Sequence, residues 1–79
     1  MSDATDRGAE LIEFIAKSLV SEPEDVNVIT TSDGRTLELE TDADDRGRVI
    51  GRQGRVAKAM RALLAKAPGC RDLRLDIVD

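Results

Sequence analysis

Two glycines at positions 51 and 54 enclose a pair of long polar side chains, Arg52 and Gln53. Because glycine lacks a Cβ atom, such a loop can turn sharply and let the backbone of another molecule come close. Arginine and glutamine supply hydrogen-bond donors, and arginine adds a positive charge. The predicted chemistry is therefore anion binding, and a phosphodiester is the anion that fits best.

The residues on either side of the loop support this prediction. Arg55 and Lys58 add two cations, and a helix predicted from about Arg55 would point its free N–H groups and its positive dipole end at the loop. Ile50 and Val56 add aliphatic surface, which could be either core or the apolar floor of a groove. The candidate binding residues are Ile50, Gly51, Arg52, Gln53, Gly54, Arg55, Val56 and Lys58.

The spacing of the two glycines is weak evidence by itself. Glycine makes up about 7% of residues, so chance places such a pair in about one of three chains this long. A tight corner between two helices would explain both glycines without any ligand. The distribution of charge helps to decide between the two interpretations.

Charge is divided unevenly along the chain. The 79 residues include 12 basic and 16 acidic side chains, and the formal net charge of −4 by itself disfavours nucleic acid. Residues 46–66 nevertheless hold seven of the basic residues and no acid, whereas the other 58 positions hold five basic and all sixteen acidic residues. The glycine loop therefore lies in a basic segment of an acidic protein. A solvated helix face is the alternative explanation of such a segment.

Hydrophobic periodicity predicts the elements that must position the loop. Apolar residues at spacings of three and four predict a helix over residues 8–20. Alternating patterns on both sides of the turn at residues 32–34 predict a β-hairpin. Asp42, Asp44 and Asp45 offer N-cap oxygens and negative charge to the positive end of a short helical turn over residues 46–50, so we expect these acids to be structural and not catalytic.

A longer helix and a final strand complete the prediction. The helix should run from about Arg55 to Ala67, ending before Pro68-Gly69. Its predicted apolar face consists of Val56, Met60, Leu63, Leu64 and Ala67. Alternation at Leu73, Leu75 and Ile77 predicts the strand.

The predicted order is therefore αββααβ. Three strands with one apolar face need a cover, so the expected fold is an α+β sandwich in which three helices cover one face of a three-stranded sheet. We expect a single domain over residues 1–79, with residues 1–7 forming a disordered tail.

Composition argues against several classes of function. The chain has one cysteine, Cys70, and no histidine, which excludes an intramolecular disulfide, Cys/His zinc sites and imidazole-assisted nucleophiles. No acidic residue is placed beside a candidate nucleophile, so we expect neither an enzyme nor a cofactor or metal. An acidic N-terminus and the lack of a membrane-length apolar run lead us to expect a cytoplasmic location and no membrane partner.

The stretch DDRGRVIGRQGRVAKAMRALL resembles the signature of type II KH domains, and the element order agrees with that fold. Chain length, the ELIEFIAKSLV helix and the VNV strand are together similar to the bacterial KhpA family of small single-KH RNA-binding proteins. The resemblance implies an RNA chaperone or post-transcriptional regulator that contacts single-stranded RNA through the loop, which in KH domains clamps about four nucleotides of backbone. It also implies action alone, as a homodimer or with a larger KhpB-type KH protein.

Other functions stay open at this point. Phe14 is the only aromatic residue and lies far from the loop in sequence, so base stacking on an aromatic ring is not expected there. An assembly module that keeps the KH shape but has little RNA affinity is therefore one alternative. A helix-turn-helix that binds duplex DNA is another, although a strand follows the corner and the acidic residues would face the duplex.

Overall fold

The computed structural model describes residues 3–78. Its helices and strands are α1 (Asp3–Leu19), β1 (Asn27–Thr30), β2 (Thr36–Glu40), α2 (Arg46–Ile50), α3 (Arg55–Lys66) and β3 (Arg74–Ile77). Single 3-10 turns precede β1, α2 and α3, at Pro23–Asp25, Ala43–Asp45 and Arg52–Gly54. The predicted αββααβ order and the α+β class are confirmed.

Helix α1 begins earlier than its apolar pattern predicts. It starts at Asp3, so the prediction of a disordered tail is wrong for residues 3–7, while residues 1 and 2 lie outside the described part of the chain. Distant contacts explain the difference. Thr5 is buried and its hydroxyl donates to the Gly34 carbonyl at 3.3 Å, and Gly8 lies so close to Leu73 that an added Cβ would be 2.8 Å from Leu73 Cδ1.

The three strands form one mixed sheet in the order β1-β2-β3. β1 runs antiparallel to β2 with Val28 opposite Leu39, and β2 runs parallel to β3 with Leu37 opposite Leu75. Because side chains alternate along a strand, these residues share one face. That face meets the helices in a core of Ile12, Ala16, Val26, Leu37, Leu39, Val49, Met60, Leu64, Cys70 and Leu75.

Helix α3 has the predicted start and ends one residue before the predicted Ala67. Its buried face is formed by Ala57, Met60 and Leu64. The predicted burial of Leu63 is wrong, since this side chain is 51% exposed. Successive helical residues are about 100° apart, so a stripe centred on Met60 and Leu64 leaves Leu63 at its border. Within residues 3–78, no helix combines the length and the apolar character that a membrane crossing requires.

Candidate nucleic-acid interface

The glycine loop is a single tight turn between α2 and α3. The Gly51 N–H donates to the Gly47 carbonyl at 2.8 Å, so the loop begins within the last turn of α2. The Gly54 N–H then donates to the Gly51 carbonyl at 3.1 Å, and the Arg55 N–H donates to the Arg52 carbonyl. These bonds hold the loop directly against the first turn of α3.

The two glycines of the loop differ in their surroundings. Gly51 has φ 78° and ψ 169°, and an added Cβ would lie 2.5 Å from Val56 Cγ2 and 2.8 Å from the Val56 nitrogen. The fold alone therefore demands glycine at position 51. Gly54 is left-handed, with φ 75° and ψ 14°, but no atom lies within 4 Å of its added Cβ. The space beside Gly54 is open to another molecule.

Gln53 carries backbone strain at the centre of the loop. With φ 58° and ψ 24°, it is the one non-glycine residue with positive φ in the part of the chain that the structure describes. A left-handed conformation costs about 1–2 kcal/mol for an ordinary residue. The Gln53 Oε1 accepts a hydrogen bond from Arg55 Nη2 at 3.1 Å, which leaves the amide NH₂ group as the donor of this side chain.

Three cations lie around the loop, exposed to solvent. Arg52, Arg55 and Lys58 are all exposed, and no carboxylate of residues 4–78 lies within ion-pair distance of them. Two other basic residues of the segment are engaged within the protein: Arg48 lies 3.8 Å from Asp45, and Arg61 Nε donates to the Leu75 carbonyl at 3.1 Å. The positive charges of Arg52, Arg55 and Lys58 are therefore available to an external anion at the loop and the first turn of α3.

The two aliphatic residues beside the loop have different surroundings. Ile50 is 37% exposed and offers apolar surface to solvent next to the loop. Val56 is half-buried, packs against the core and contacts Gly51. All eight candidate residues thus lie within residues 50–58. Val56 has a structural role among them, because it packs against the core and contacts Gly51.

Asp45 is a residue whose role could not be read from the sequence. Asp42 caps the 3-10 turn by accepting from the Asp44 N–H at 3.3 Å, as expected for an acid before a helical turn. Asp45 occupies the N-cap position of α2, but its side chain makes no capping hydrogen bond to that helix. It is 1% exposed and instead accepts hydrogen bonds from Ser21 and Glu22.

These bonds govern the ionisation of Asp45. The backbone N–H of Ser21 is the main group that lowers the pKa of this carboxyl, and the Ser21 hydroxyl, the Glu22 N–H and the Arg48 charge act in the same direction. Burial opposes them. The carboxylate is therefore held ionised inside the protein. Among the described residues, no group of three His, Cys, Asp or Glu side chains is placed so that it could hold a metal ion.

An αββααβ domain with a Gly-x-x-Gly loop between its second and third helices has the architecture of a KH domain. A family model described as "KhpA/KhpB, KH domain" matches residues 9–75. The chain belongs to this KhpA/KhpB KH-domain family. The family is not one of enzymes, which confirms the prediction of a non-catalytic protein.

Similar proteins cover most of this chain and of their own length. The RNA-binding protein KhpA of Halalkalibacterium halodurans is 48% identical over 73 residues, covering 87% of this chain and 96% of the relative. The protein of the same name from Mycobacterium bovis is 44% identical and covers 89% of both chains. That of Clostridium perfringens is 50% identical, covering 73% of this chain and 80% of its own. No solved structure matches the chain significantly.

Proposed function

We propose that this chain is a non-catalytic RNA-binding protein that holds the backbone of single-stranded RNA at the loop Gly51–Gly54. The observation that carries the proposal is the open space at Gly54 beside three exposed cations, Arg52, Arg55 and Lys58, which no carboxylate of residues 4–78 approaches within ion-pair distance. Relatives of similar length are named RNA-binding proteins, which supports the same conclusion.

Each group around the loop has a distinct part in this proposal. A phosphate approaches the open side of Gly54, where the N-terminal N–H groups of α3 favour an anion. The three cations neutralise the RNA backbone, and the Gln53 amide donates to a phosphate, sugar or base. Ile50 supplies apolar surface against a sugar or base, while Val56 mainly supports Gly51.

The affinity of this chain for RNA is modest and falls as the salt concentration rises. Phe14, the sole aromatic residue, lies on α1, so phosphate contacts dominate and sequence preference is weak. Tight binding then requires a second RNA-binding unit, since a linked second contact becomes intramolecular. We therefore include in the proposal a homodimer or a larger KhpB-type partner, and a role as a cytoplasmic RNA chaperone or post-transcriptional regulator.

The test is a fluorescence titration of a single-stranded RNA of about ten nucleotides with the wild-type chain and the Arg52→Asp/Gln53→Asp variant. The variant changes the loop charge by −3. We expect wild-type binding that weakens steeply between about 50 and 200 mM salt and a loss of at least about tenfold in affinity in the variant. Circular dichroism checks that both proteins are folded.

A charge-matched control separates the loop from the net charge of the protein. Ser32→Asp/Arg35→Asp also changes the charge by −3, at exposed positions in the turn between β1 and β2. This control should keep most of the wild-type affinity. Equal losses in the two variants, or undiminished binding by the loop variant, would contradict the proposal.

A second candidate function is an assembly module with little RNA affinity of its own. Phe14 is 71% exposed and Leu63 51% exposed, so both helices that carry them offer apolar surface to a partner. Formation of a protein complex that survives the Arg52→Asp/Gln53→Asp change, together with no RNA binding by the wild-type chain, would favour this function.

A further inference from the structure

A buried carboxylate connects the start of α2 to the segment that follows α1. Asp45 Oδ1 accepts from the Ser21 N–H at 3.0 Å and from the Ser21 hydroxyl at 2.8 Å, while Oδ2 accepts from the Glu22 N–H at 3.0 Å. Hydrogen bonds to an ionised group are about twice as strong as those between neutral groups. These three bonds join segments that are more than twenty positions apart in the chain.

Helix α2 is short, and this connection adds to its packing against α1, α3 and β3. It has five residues, includes Gly47 and buries only Val49. Helices much shorter than about twelve residues are not stable alone in water, and an internal glycine costs a further 1 kcal/mol or so. The attachment of its first turn therefore fixes the direction of the helix.

The direction of α2 sets the position of the RNA-binding loop. Five helical residues advance only about 7.5 Å, and Gly51 follows directly at the end of the helix. The opposite side of the loop is fixed by α3. A tilt of α2 about its first turn thus moves the loop relative to Arg55 and Lys58.

We propose that Asp45 is a positioning residue for RNA binding: its bonds to Ser21 and Glu22 fix α2 so that the loop and the cations of α3 face the same RNA backbone. The inference rests on the proposed function, because RNA affinity is its readout. Asp45 itself does not touch the RNA in this arrangement.

The sign of the effect distinguishes positioning from plain electrostatics. Loss of a negative charge near a phosphate-binding segment should by Coulomb's law strengthen RNA binding. Loss of the positioning bonds should weaken it instead. A carboxylate that only stabilises the fold would lower the unfolding free energy and leave the affinity of the folded protein unchanged or slightly raised.

The experiment compares Asp45→Asn with Asp44→Asn in titrations of the same single-stranded RNA over a series of salt concentrations. Asp44 is adjacent and exposed, its side chain makes none of these bonds, and the charge change is identical. We expect Asp45→Asn to lose at least about threefold in affinity and to reduce the salt slope by about 0.7 for each phosphate that the protein no longer neutralises. Asp44→Asn should bind as well as the wild type or slightly better.

A milder variant keeps the test decisive if Asp45→Asn does not fold. Ser21→Ala removes one hydrogen bond but keeps the carboxylate and both backbone donors. It should lose about twofold in affinity at unchanged protein charge. Folded variants with wild-type affinity and salt slope, or stronger binding by Asp45→Asn, would overturn the inference. If the wild-type chain itself fails to bind RNA, the proposed function fails first, and that result is distinct from a failure confined to Asp45.

Discussion

The turn between β1 and β2 and the loop Gly51–Gly54 both use glycine at positive φ, but they differ in how their polar groups are hydrogen-bonded. In the turn between β1 and β2, the Asp33 carboxylate accepts from the Thr31 hydroxyl at 2.6 Å and from the Arg35 N–H at 2.9 Å. The Gly34 N–H donates to the Thr31 carbonyl at 2.9 Å. In the hairpin turn, the Thr31 hydroxyl, the Asp33 carboxylate and the Gly34 N–H are thus all bonded within the turn.

The loop Gly51–Gly54 uses its backbone groups internally but leaves its side chains outward. The Arg52 side chain is exposed, and no carboxylate of residues 4–78 lies within ion-pair distance of it. Gln53 has a strained left-handed backbone and uses only its Oε1 within the protein, so its amide donors stay available. Backbone strain beside polar groups that have no partner in the protein is a common feature of ligand-binding sites. This difference supports the proposed binding role of the loop, whereas the bonds of the hairpin turn serve the fold.

Replacement of Gly51 in the loop and of Gly34 in the hairpin turn should give the largest difference in stability between the two turns. In Gly51→Ala the new Cβ meets Val56 at a backbone position that only glycine tolerates, so we expect a loss of at least about 3 kcal/mol in unfolding free energy. In Gly34→Ala the φ of 72° is strained but no atom lies within 4 Å, so the loss should be about 1 kcal/mol. Urea denaturation of both variants measures this, and equal losses would contradict the structure.

Replacement of the strained residue should separate stability from binding. Gln53→Gly removes the cost of placing a residue with a Cβ atom in the left-handed conformation. Because glycine also makes the unfolded chain more flexible, the net rise in unfolding free energy should be only about 0.5 kcal/mol. The same change removes the amide donor, so RNA affinity should fall by about twofold to threefold. Denaturation and titration together check this pair of opposite effects. If the variant binds RNA as well as the wild type, the Gln53 side chain has no part in binding.

The hairpin turn should respond to pH without affecting RNA binding. The Thr31 hydroxyl, followed by the Arg35 N–H, holds the pKa of Asp33 below its ordinary value of 3.8. The contribution of this carboxylate to stability is therefore complete above that value and is lost as pH falls through the lower folded-state pKa. Urea midpoints between about pH 2 and 7 should decline less at the acid end for Asp33→Asn than for the wild type. The RNA affinity of Asp33→Asn at neutral pH should match that of the wild type. A clear loss would indicate that the hairpin turn contacts RNA.

Local patterns in the sequence predict the elements around the loop well. Gly54 and the Pro68-Gly69 pair mark the two ends of α3, and the turn residues at 32–34 separate the two strands of the hairpin. These signals act within a few residues, so they can be read without the fold. The same holds for the basic segment, because its charges are adjacent in sequence.

Features that depend on distant parts of the chain could not be predicted. The start of α1 at Asp3 depends on contacts of its first turns with residues near Gly34 and Leu73. The exposure of Leu63 depends on which stripe of α3 meets the sheet. The bonds of Asp45 reach back to Ser21, and nothing adjacent to Asp45 in sequence identifies that partner.

RNA should contact the loop Gly51–Gly54 and not the hairpin turn. A titration of the ¹⁵N-labelled chain with a single-stranded RNA of about ten nucleotides, followed by amide chemical shifts, distinguishes the two regions in one experiment. We predict that shifts concentrate at residues 50–58 and are small at residues 31–35, and that raised salt reverses them. Shifts centred on the hairpin turn, or on α1 around Phe14 with the loop unaffected, would contradict RNA binding at the loop.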